Sequence, residues 1–118
     1  MASNLELFEQ LKNDDISDND LILSLQSENF RIVSMAMSRL IERNFYDDTI
    51  IKRLEELSRL LANNKFVGPW QFGHFAIATL SLLDDEKYKS KFNDIFNELS
   101  ENDKFLVNNF IKAEAYKL

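Results

Sequence analysis

Three Asp-Asp pairs and one imidazole are the first groups in this chain to weigh for acid–base or metal chemistry. The pairs are Asp14-Asp15, Asp47-Asp48 and Asp84-Asp85. Carboxylates that face each other can share a proton or hold a cation. Neighbours in sequence on a helix do not face each other, and each pair stands where a helix would begin, so helix capping accounts for them. Read as a calcium loop from Asp14, the sixth position holds Asn19 in place of glycine and the twelfth holds Leu25 in place of glutamate. The imidazole is His74, with Trp70 four residues before it and Ile77 three after. No acid on its own turn orients it as a triad requires, although a distant residue could.

The rest of the catalytic inventory is thin. There is no cysteine, which excludes thiol nucleophiles, thiolate metal sites and disulfides. Two glycines cannot build a phosphate-binding loop or a nucleophile elbow. The expectation is a non-enzyme with no catalytic residue, no metal and no cofactor, and with His74 as a hydrogen-bonded core or groove histidine. The competing reading is an enzyme or ligand carrier with a pocket near His74 and Trp70.

Charge placement is more informative. Residues 1–28 hold seven acids and one base, net −6, whereas residues 29–118 hold 13 of each. The whole net charge therefore sits in the first quarter of the chain. Nucleic acid is an unsuitable partner, because phosphate binding needs a concentrated basic surface. A protein with a basic surface suits the asymmetry. The candidate contacts are Asp14, Asp15, Asp18, Asp20 and Glu28, joined by four aromatics that fit helical core faces poorly: Phe45, Tyr46, Phe66 and Phe72. The plainer alternatives are a solvated acidic surface that aids solubility and aromatics that close the ends of the core.

These residues need elements to position them, and the apolar periodicity is helical throughout. Its length makes residues 1–118 one all-α domain of about seven helices. Ser3-x-x-Glu6 reads as a capping box for a first helix. Ser17 caps a short second helix, and Ser27 caps a long third that runs to about Arg43. A fourth carries Ile50, Leu54, Leu57 and Leu61, a sixth carries Tyr88, Phe92 and Ile95, and Ser100 caps the seventh. Between Lys65 and Asp84 there is no charged residue. Gly68-Pro69 reads there as the start of a central, buried fifth helix, since proline suits the first helical position. Small residues such as Gly73 would let neighbouring helices approach. Those 18 uncharged residues reach the lower limit of a membrane span, but their Pro, Gln, His, Thr and Ser content suits a buried helix instead. No strand is expected, no signal peptide is evident, and the expectation is a cytoplasmic protein that does not touch membranes.

A weak internal repeat runs through this pattern. Shifted by 40, Phe30, Ala36, Met37 and Leu40 fall on Trp70, Ala76, Ile77 and Leu80. Shifted by 38, Ile50, Leu54, Leu57 and Leu61 fall on Tyr88, Phe92, Ile95 and Leu99. Over residues 27–99 the chain thus resembles a short HEAT-type or armadillo-like array of helical hairpins, without the proline often found in the first helix of HEAT units. A compact, non-repeating helical bundle is the alternative. In size, acidity and helical content the chain is also similar to bacterial immunity proteins, which neutralise toxin domains. That resemblance implies a basic toxin, such as a nuclease, as partner; the runner-up is a general adaptor or regulatory scaffold.

Overall fold

Side-chain caps set where most helices begin in this structure, a computed structural model that describes residues 4–13 and 15–117. Seven helices pack together: α1 (Asn4–Leu11), α2 (Asp18–Leu25), α3 (Phe30–Arg43), α4 (Asp48–Leu57), α5 (Phe72–Leu82), α6 (Glu86–Asn97) and α7 (Glu101–Lys112). Ser17 accepts from the Asp20 N–H, Asp47 from Thr49, Asp85 from Lys87 and Ser100 from Asp103. Each bond satisfies a backbone donor that the first helical turn leaves unpaired. Asp47 and Asp85, one member each of two acid pairs, are therefore caps; Ser3 and Asp14 lie outside the described residues. The third helix is capped by Asn29, not Ser27, whose hydroxyl instead accepts the Asn29 N–H at 3.0 Å.

The expectation of no strands, with a helix opening at Gly68-Pro69, is corrected here. Lys65–Val67 and Trp70–Gln71 form a two-stranded antiparallel hairpin, β1 and β2, and Gly68-Pro69 is its turn. Gly68 has φ 55, which glycine adopts without penalty, and glycine at the first central position suits a tight hairpin turn. Proline was thus a turn residue and not a first helical residue. The fourth helix also stops earlier than its apolar spacing suggests, at Leu57 rather than Leu61.

These two differences create the start of α5. The chain after α4 turns back so that the Leu60 carbonyl accepts the Gly73 N–H and the Asn64 carbonyl accepts the Phe72 N–H, each at 2.9 Å. Two unpaired donors of a new helix are thereby satisfied by backbone. The close neighbour at Gly73 is this turn and not another helix. A Cβ on Gly73 would lie 2.8 Å from the Leu60 oxygen.

Every residue of α5 from Phe72 to Leu80 is buried. The helix packs against α3, α4, α6 and α7, while α3 also packs on α1 and α2. Burying one large apolar side chain such as Phe75 or Leu80 stabilises the fold by about 1.5–3 kcal/mol. The hairpin closes one end of the core with a cluster of rings. Phe66 lies 5.4 Å from Phe72 and 5.1 Å from Phe75, and Trp70 meets Phe110 edge-on at 5.4 Å. The indole N–H of Trp70 donates to the Leu106 carbonyl at 3.1 Å, fastening the hairpin to α7.

Candidate interaction surface

Arginines hold the acidic N-terminal region in place. Helix C-termini expose unpaired carbonyls at the negative end of the dipole, and a cation there is favourable. Arg39 donates to the Leu11 carbonyl at 2.8 Å, closing α1, and Arg53 donates to the Leu25 carbonyl at 2.9 Å, closing α2. Between these helices, Arg43 donates to the Ile16 carbonyl at 2.6 Å and pairs with Asp18 at 2.9 Å. The loop that carries the acids is thereby tied to α3.

On this frame Asp15 and Asp20 line one cleft of about 280 Å³, together with Gln10, Asn13 and Ser17. Asp18 begins the same helix and stays 59% exposed despite its arginine. Glu28 is exposed beyond the opposite end of α2, which is eight residues long, so it stands about 12 Å or more along the helix axis from the others. Asp14 lies outside the described residues. The acids form one concentrated group at the start of α2 and a separate outlier. Among the described residues no cluster of three or more histidines or carboxylates is placed to hold a metal ion.

The four aromatics belong to two different packing clusters. Phe45 and Tyr46 are half-buried in the connection between α3 and α4. The hydroxyl of the buried Tyr88 donates to the Phe45 carbonyl at 3.0 Å and accepts the Asp47 N–H at 3.1 Å. Tyr46 packs 5.4 Å from Tyr88, donates its hydroxyl to Asp48 and carries the Lys87 ammonium over its ring. The Asp48 bond pushes the Tyr46 phenol up to about 12, and burial pushes Tyr88 up to about 12. Phe72 is buried between Phe30 and Phe66 and offers no surface, whereas Phe66 is half-buried and reaches an open groove.

His74 gains the partner that its own turn lacked. It is 1% exposed, and its Nε2 lies 2.9 Å from Asp103 on α7. Its Nδ1 accepts the Gln71 N–H at 2.9 Å. A backbone amide can only donate, so Nδ1 is the bare nitrogen and Nε2–H donates to the carboxylate. Asp103 also accepts from the Ser100 hydroxyl at 3.1 Å. The order Ser–Asp–His is not that of a nucleophilic triad, in which histidine stands in the middle. Both ring nitrogens are engaged in joining the hairpin, α5 and α7. A separation of 29 residues hid this pair from any reading by local spacing.

No family model, no curated protein and no solved structure matches this chain. Among the described residues, no helix is long and apolar enough to cross a membrane.

Proposed function

We propose that this all-helical domain is a non-catalytic protein-binding module whose acidic N-terminal surface meets a basic partner. The observation that carries the reading is the segregation of charge: net −6 in residues 1–28 and zero in the remainder. The grouping of Asp15, Asp18 and Asp20 at the start of α2 supports it, because concentrated charge steers encounter more effectively than dispersed charge.

The specific form of this proposal is an immunity protein that covers the basic surface of a nuclease-type toxin in the cytoplasm. A HEAT-like arrangement of the scaffold is supported by the packing of α3 on α5 and of α4 on α6, which follows the two sequence shifts. Against it, the close neighbours of α3 are α1, α2 and α5, so α3 pairs with α2 rather than with α4. The test is co-expression with the product of a basic reading frame adjacent to this gene. Restored growth and a stable complex are the expected result. A neighbour that is neither toxic nor bound removes the immunity reading and leaves a general adaptor.

A further inference from the structure

We propose a second binding site, for an acidic peptide segment with apolar anchors, in the groove between α1, α3 and the C-terminal segment. It shares no lining residue with the acidic cleft and carries the opposite charge. The groove is open to solvent and offers about 890 Å³, within the roughly 300–1,000 Å³ usual for ligand sites. Its floor is apolar, built from Phe8, Met35, Phe66 and Tyr116.

Its rim is basic in a chain of net charge −6: Lys12, Arg31, Arg39 and Lys117 line it against the single acid Glu42. Lys12 and Arg31 both lie over the Phe8 ring, at 4.6 and 4.8 Å from its centre. Lys12 and Lys117 hold Glu9 and Glu114 one turn away, and Arg39 holds Glu42. The Lys12 and Lys117 pairs are exposed, and such pairs contribute about 0–1 kcal/mol, so an incoming carboxylate can replace them cheaply, whereas Arg39 keeps its bond to the Leu11 carbonyl.

The distribution of the cations selects the ligand class. They stand on three walls: Lys12 follows α1, Arg31 and Arg39 are on α3, and Lys117 is near the C-terminal end of the described chain. Arg31 and Arg39 alone are about 12 Å apart along the helix. An amphiphile with one headgroup could neutralise one wall. A peptide carrying several carboxylates can reach all three while its apolar side chains cover Phe8, Met35 and Phe66. About four or five extended residues span the stretch of α3 from Arg31 to Glu42, at roughly 3.3 Å each.

The test is selection of a random twelve-residue displayed peptide library on the full chain, followed by titration of synthetic winners. Enrichment of Asp and Glu together with Phe, Leu or Trp is expected. Winners should lose about tenfold or more in affinity for Arg31→Glu with Lys117→Glu, both exposed positions, at unchanged melting temperature. Asp15→Asn with Asp20→Asn should leave them bound, which separates this site from the acidic surface. Failure to enrich acidic peptides, or equal binding by the Arg31/Lys117 double variant, overturns the proposal. So does saturable binding of dodecanoate that displaces the winners and is stronger than theirs, since it assigns the groove to lipid-like carboxylates.

Discussion

The Gly73 N–H and the Leu60 carbonyl are bonded at 2.9 Å, and a methyl group on Gly73 would sit 2.8 Å from that same oxygen. One contact thus begins α5, ends the turn after α4 and forbids a side chain. The obstacle is backbone, which cannot swing aside as a flexible side chain can. Gly73→Ala should therefore destabilise the protein by about 1–3 kcal/mol, the range for overpacking, and Gly73→Leu by more. Denaturant midpoints measure both, and an unchanged midpoint for Gly73→Ala would place Gly73 away from Leu60.

The His74 ring should populate the Nε2–H tautomer, because the Gln71 amide occupies Nδ1 and Asp103 accepts at Nε2. Nitrogen-15 chemical shifts of the two ring positions report this directly; a predominant Nδ1–H form would contradict the arrangement. His74→Leu should cost about 1–3 kcal/mol by removing the acceptor of the part-buried Gln71 N–H and the donor to Asp103. If the acidic surface is the contact, partner binding by the folded His74→Gln protein should stay within about one kcal/mol of wild type.

Alkaline pH should weaken the fold through Tyr46 and Tyr88. Both phenols are raised from 10.0 to about 12, Tyr46 by its bond to Asp48 and Tyr88 by burial. A raised pKa means that the folded state favours the neutral phenol. Their stabilisation is complete below pH 10 and is lost as pH rises towards 12. Tyr88→Phe, which also loses the ties to Phe45 and Asp47, should flatten that decline. Ultraviolet titration alongside thermal melts at pH 9 to 12 checks both points. Stability rising through this window would contradict the assignment.

Helix existence was legible because caps and periodicity agree locally: Ser17 and Ser100 cap α2 and α7 as their spacing implies, and Leu21, Leu25, Val107 and Phe110 face inward. The hairpin was not, because proline serves both a first helical turn and a tight turn. Only the positive φ of Gly68, enforced by strands that are themselves three and two residues long, decides between them. Phe66 and Phe72 looked unsuited to a core because only the hairpin, invisible to helical spacing, brings Phe66 onto Phe72 and Phe75. The acidic group at α2 could be counted in sequence because it is contiguous. The basic groove could not, since Lys12, Arg31 and Lys117 meet only through folding.

The acids at the start of α2 are proposed to guide a basic protein onto this one. Association kinetics with the partner that co-purifies with the native protein test it most directly, comparing wild type with the Asp14, Asp15, Asp18 and Asp20 to Asn variant from low to physiological salt. Exposed charges are screened over about 8 Å at physiological ionic strength, and their main effect is on association rate. The variant should associate about tenfold or more slowly at low salt, with a flattened salt dependence and a smaller change in dissociation. Association of the variant at the wild-type rate in low salt would contradict it.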